Sequence, residues 1–378
     1  MVQSGGEAAL IGPSEDTAGA TSYCTNTICE LQGLKAANAL NGTLVIIRCF
    51  DSDAGRYVCD RLYSAAGPRA TALKVKEANL SSLGPVQFTL EEVQKWVDNC
   101  PPNMALSLPK GDFTVDGSPP AASGKDSDDE ASDAGESGGG GQGDLHEQPV
   151  CVDGESCLVV THAITLRGIS QEETKLHFSK FRFLGETEGV GRLTIADIRL
   201  LGSVEILGSE LKQCTLQNVT INCSANQGEC VPDALHLNKT SQEEYRRQGC
   251  SPYLCTVLLH ECTIRGGTDG VQVDCPACTF HKCMITEVRR YGMSVSEEKD
   301  IPEVIAKDCI IDSCGEWGVE AWVGAPTPGQ SKLTRFGRNH IQPGPRDTQP
   351  YFGFYELEPD NDAWWVQHCE NKVKYSKP

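Results

Sequence analysis

Between Val257 and Val323 the chain says one thing three times, as HECTIRGGTDGVQVD, HKCMITEVRRYGMSV and KDCIIDSCGEWGVEAWV. Each unit opens with a Cys-x-Ile pair: Cys262/Ile264, Cys283/Ile285 and Cys309/Ile311. Each closes on a glycine (Gly270, Gly292, Gly318) followed by an apolar, a polar and an apolar residue. Two short alternating runs joined by a turn, recurring after 21 and then 26 residues, predict stacked β coils. One such unit cannot bury its apolar face alone, so the repeat commits the chain to a solenoid. Cys262, Cys283 and Cys309 then share one coil position and are expected to stack inward as small apolar side chains.

The same in-out-in triplets occur upstream, at Leu193–Ile195, Val204–Ile206, Cys214–Leu216 and Val219–Ile221. Asp233–Leu237 matches Asp269–Val273 position for position. Ahead of them, Thr89 is an N-cap for a helix carrying Glu91 and Glu92 in its first turn. Val93, Trp96 and Val97 form its apolar face, and Pro101-Pro102 ends it. Strands are predicted at Met104–Leu108 and Phe113–Val115. The open end of a solenoid exposes core and unpaired backbone, so an amphipathic element is expected there.

This arrangement resembles the pectin-lyase-like right-handed parallel β-helix superfamily, from about Phe88 to Asn339. The likeness rests on the capping helix, on the turn Leu108-Pro109-Lys110-Gly111-Asp112-Phe113 and on the early coil Ile164-Thr165-Leu166-Arg167-Gly168. It implies an all-β, right-handed single-stranded parallel β-helix. That superfamily includes polysaccharide-degrading enzymes and intracellular repeat domains that bind partners without reacting on them.

Strand-like runs at Thr43–Phe50, Arg56–Leu62 and Thr71–Val75, separated by an Asp-Ser-Asp-Ala-Gly turn and a Gly-Pro turn, predict a small barrel or curled sheet. The segment resembles a Src-homology-3-like barrel module common in algal and other protist proteins. Gly33-Leu34, Leu40-Asn41-Gly42, Phe50-Asp51, Gly55-Arg56-Tyr57 and Leu73-Lys74 with Asn79-Leu80 carry the resemblance, while Val45 stands where that family usually has glycine. It implies a binding role and no reaction.

The predicted order is a disordered N-terminus (1–27), a small barrel (28–84), the β-helix cap and first coil (85–117), an insertion (118–149), β-helix coils (150–340) and a C-terminal cap or tail (341–378). The insertion and its first flanking residue hold eight acids and one lysine among many glycines and serines, a composition that cannot build a core. A charged excursion from Asn238 to about Cys255 interrupts the coils. A formal charge of −19 argues against nucleic acid and anionic membrane as partners. No apolar run reaches the roughly 18–20 residues that span a bilayer. Without a basic start and apolar block at the N-terminus, a cytoplasmic or nuclear home is expected, with the 19 cysteines reduced.

Aligned coils allow columns to be read on the outer surface. The residue before the closing Gly or Ala forms one column: Asp233, Asp269, Tyr291, Trp317. The polar residue within the triplet forms another: His236, Gln272, Ser294, Glu320. Adjacent strands lie about 4.8 Å apart, so Asp233 and Asp269 should stack beside His236, with aromatics further along. Paired carboxylates and aromatic platforms suit a sugar groove and glycoside chemistry. Polar residues must also face water on every coil, and Asp before Gly is an ordinary turn pair. The coils hold neither the Gly-His-Gly with an Asp-Asp pair of polygalacturonases nor an acid cluster evident beside Arg289-Arg290. Cys275 and Cys278 are the best metal candidates, but a zinc site needs four ligands, and no cofactor is implied. The expectation is therefore a non-catalytic binding or scaffold protein for a protein or polysaccharide partner, with binding residues Asp233, His236, Asp269, Gln272, Tyr291, Trp317 and Glu320. The alternatives are a lyase or glycoside hydrolase using Asp233, Asp269 and His236, or a structural subunit of a larger assembly.

Overall fold

The computed structural model describes residues 23–65, 72–117, 156–184, 191–207, 211–223, 232–238, 256–273, 277–295, 303–315, 318–321, 335–337, 340–341, 353–354 and 372–373. The acidic insertion, residues 239–255, Cys275 and Trp317 lie outside them. The described residues are mostly β, with one α-helix, in two units: one of residues 1–61 and 71–86, the other of 62–70 and 87–378.

The chain opens with β1 (Thr27–Leu31), β2 (Leu44–Asp51), β3 (Arg56–Arg61), β4 (Tyr63–Ala65), β5 (Leu73–Val75) and β6 (Leu80–Pro85), of which all but β4 belong to the first unit. All but β4 form one antiparallel sheet in the order β5-β3-β2-β1-β6. Alternation sends Cys29, Leu31, Val45, Ile47, Tyr57 and Cys59 into one core. The predicted β2–β3 turn forms as read: the Asp51 carboxylate accepts from the Ala54 N–H at 3.0 Å and pairs with Lys74 at 2.8 Å.

β4 departs from the sequence-based boundary of that unit. It belongs to the second unit, where it pairs antiparallel with β7 (Met104–Ser107), and Ser107 N–H donates to the Leu62 carbonyl at 2.9 Å. Before β7 comes α1 (Leu90–Asp98), with Thr89 accepting from Glu92 N–H at 3.1 Å and Leu90, Val93, Trp96 and Val97 buried.

The strands after β7 are β8 (Gly111–Phe113), β9 (Cys157–Val160), β10 (Ile164–Arg167), β11 (Thr174–Leu184), β12 (Gly191–Leu207) and β13 (Leu211–Asn222). Then follow β14 (Leu235–Asn238), β15 (Thr256–His260), β16 (Thr263–Arg265), β17 (Val271–Val273), β18 (Ala277–His281), β19 (Met284–Thr286) and β20 (Met293–Val295). β21 (Glu303–Lys307), β22 (Ile310–Ile311) and β23 (Val319–Ala321) extend the series. They join in three parallel ladders. The first runs β7-β10-β12-β13-β15-β18-β21, the second β8-β11-β12-β13-β16-β19-β22, and the third β9-β11-β12-β14-β17-β20-β23. From β14 to β20, each strand therefore pairs with the one three places later.

Single residues in the left-handed backbone region turn the chain from the first ladder to the second: Asp197, Asn218, Glu261, Lys282 and Asp308, all with φ of 54–56°. The residue after each points inward, giving a buried column of Ile198, Val219, Cys262, Cys283 and Cys309. The expected cysteine stack is present. At the start of the third ladder a Cβ on Gly270 would lie 2.5 Å from the Ile285 side chain and 2.6 Å from the Gly292 carbonyl oxygen. Close approach of successive repeats thus explains the recurrent glycine.

The first strand of each ladder is covered by a different device. β4 lies along β7, and the Phe88–Leu90 backbone exchanges hydrogen bonds with Thr114 just beyond β8. The Gln94 side-chain amide donates to the Val159 carbonyl and accepts its N–H, each at 2.8 Å, as a neighbouring strand would on β9. Ladder edges are thereby closed without a further repeat.

Candidate functional site

Of the two columns expected at the third ladder, the polar one occurs in register. His236 partners Gln272, Gln272 partners Ser294, and Ser294 partners Glu320. The column also extends backwards: His236 partners Glu205, which partners Arg182. Glu205 is held between Lys180 and Arg182, each at 3.0 Å. Those hydrogen bonds and charges keep its carboxyl below the usual range despite its burial. Lys180, Arg182 and Glu205 were not among the residues singled out from the sequence. Glu205 alone carried a signal, as the central residue of the triplet Val204–Ile206.

The carboxylate column differs from the expectation. Asp269 does not face outward: it is fully buried. Its Oδ1 and Oδ2 accept from Arg290 Nε and Nη2 at 2.9 and 2.8 Å, and Oδ1 also faces Tyr291 N–H at 3.4 Å. Asp233 repeats the device one repeat earlier, its Oδ1 accepting the Asp269 N–H at 3.2 Å. Each aspartate therefore holds the backbone of the next repeat. Burial, and then the charge of Asp269, push the Asp233 carboxyl above its ordinary value.

Arg290 is the basic partner of Asp269, a pairing that the sequence did not reveal. It precedes Tyr291, one place off the column and one repeat beyond Asp269. Its guanidinium lies 4.4 Å from the centre of the Tyr291 ring, so one cation serves a carboxylate and an aromatic face. Asp233, His236, Asp269, Arg290 and Tyr291 thus form one cluster, with Gln272 in register beside His236.

Cys278 is buried within β18, in register with Val257 and Val304, while Cys275, the other metal candidate, lies outside the described residues. Among the described residues, no three His, Cys, Asp or Glu groups could hold a metal ion together. All thirteen cysteines there are free thiols and ten are buried, so they act mainly as packing. Cys283 is pushed up to about 12 by its thiol hydrogen bond to Cys262 and by burial, which leaves it unreactive. No helix among the described residues is long and apolar enough to cross a membrane.

No family model and no curated protein matches the chain. Among solved structures, one titled Geobacillus virus E2 - ORF18 is similar at 8% identity with a TM-score of 0.26. The match covers 79% of this chain, which spans 65% of the length of that one. A similarity at this level bears on neither fold nor site.

Proposed function

We propose that the three ladders close as a right-handed parallel β-helix of the pectin-lyase-like kind, and that the chain is a non-catalytic binding or scaffold protein. Its ligand, a protein or a carbohydrate, meets the outer face of the third ladder, where Arg182, Glu205, His236, Gln272 and Glu320 share one register column. The first unit is read as an SH3-like barrel that adds a second binding module. Buried cysteines present as thiols fit a reducing compartment, cytoplasmic or nuclear.

One observation carries the reading. The carboxylate best placed to complete an acid pair, Asp269, is fully buried with both oxygens taken by Arg290. Paired-carboxylate catalysis needs two groups that reach the substrate. Here one of them holds the next repeat in place.

A specific observation favours the second reading, a polysaccharide lyase or glycoside hydrolase. Asp233 has a raised carboxyl pKa beside His236, which suits a general acid. The test is to incubate the full chain with uronan and neutral polysaccharides, then measure reducing ends and unsaturated products. The binding reading expects no product, together with retention of a polymer or protein that Gln272→Ala and Tyr291→Ala weaken while their melting temperatures stay at the parent value. Product release abolished by Asp233→Asn without loss of folding would replace it with the enzyme reading.

A further inference from the structure

We propose that His260 and His281 form a two-imidazole chelate for a borderline divalent cation of the copper, nickel and zinc kind. The two residues are register partners on the adjacent parallel strands β15 and β18. Val257 and Leu259 fill the core while His260 and His281 point outward, with side chains 40% and 34% exposed. Their ring centroids are 5.0 Å apart at an interplanar angle of 41°.

Each ring has a carboxylate near one nitrogen, just beyond hydrogen-bond distance. His260 Nδ1 is buried without a hydrogen-bond partner and lies 3.8 Å from Glu261 Oε2. His281 Nε2 lies 3.6 Å from Asp308 Oδ2. Lys282 takes the other oxygen of Glu261 at 3.2 Å, which fixes that carboxylate. A carboxylate beside one ring nitrogen favours the proton there and leaves the lone pair on the other. His260 Nε2 and His281 Nδ1 become the donor atoms of two neighbouring imidazoles.

Imidazole suits copper, nickel and zinc, whereas magnesium prefers carboxylate and water oxygens. Because no third ligand joins the pair among the described residues, the remaining coordination positions fall to water. Lys307, the next residue in the column, and Gln217, the preceding one, flank the pair without adding an imidazole. A metal held by both rings would tie two repeats together.

The probe is Ni2+, titrated into the full tag-free chain at pH 7.5 after alkylation of its exposed thiols, with binding followed by calorimetry. One ion per chain is expected. Affinity should fall at least tenfold in His260→Ala and in His281→Ala and stay at the parent level in Lys307→Ala. Ni2+ should also raise the melting temperature of the parent and of neither histidine variant. His260→Gln, closer in size, replaces His260→Ala if that variant does not fold. Parent-like Ni2+ affinity in both histidine variants, or equal competition by Mg2+, would overturn the proposal.

Discussion

At Asp269 and Arg290 the burial is one-sided, with the carboxylate at 0% exposure and the guanidinium at 42%. Removing the arginine strands a charge inside the protein, whereas Asp269→Asn lets Arg290 return to water and keeps an acceptor for Tyr291 N–H. Arg290→Ala should therefore cost roughly 2–4 kcal/mol in urea unfolding, below the full buried-pair loss because the cation is half solvated. Asp269→Asn should cost less. The reverse order would place the charge burden on the arginine. Asp233 has the opposite sign: with its carboxyl pushed up, the native state keeps a proton that the unfolded chain releases. Its ionisation destabilises the fold as pH rises above the ordinary aspartate range, so Asp233→Asn should melt no lower than the parent at pH 7. Burial holds His177 below its usual value, and its Nε2 has no hydrogen-bond partner. The unfolded chain then takes the proton first, so stability is intact above about pH 6.5 and declines as pH falls below it. His177→Gln should flatten the difference between melting temperatures measured at pH 7.5 and 5.5.

Among the elements, alternation and the repeated glycine made β17, β20 and β23 and their partners legible in advance. So were α1 and its Thr89 cap, because capping and an apolar stripe are local signals. The corners were not. Glu261, Lys282 and Asp308 adopt left-handed backbone that sequence normally marks with glycine or asparagine, and here stacking on the next repeat imposes it. The pairing of β4 with β7 joins segments about forty residues apart, beyond any local pattern. Arg290 was hidden for a related reason: its partner depends on the pitch of the repeat and not on its neighbours in sequence. The geometry also sets tolerances. Gly270→Ala drives a Cβ into the next repeat and should cost about 1–3 kcal/mol, seen as a lower urea midpoint. Cys262→Val should lose less than about 1.5 kcal/mol, since Val219 fills the same column one repeat earlier.

For the whole second unit, the limiting problem is an open end to a stack of parallel strands. Three unrelated devices meet it: a reversed strand, a bridged backbone and a glutamine that imitates a strand. Gln94→Ala should remove about 1–2 kcal/mol by leaving Val159 N–H and C=O unpaired, a loss detectable by faster amide exchange at Val159. On this account the inside of the stack carries stability, and the irregular outer columns proposed for recognition tolerate substitution. The division is tested most directly by urea unfolding of Cys262→Asp and Gln272→Ala side by side. A buried carboxylate at Cys262 should abolish the parent's cooperative transition, while Gln272→Ala should stay within about 0.5 kcal/mol of the parent. Equal losses from the two substitutions would contradict it.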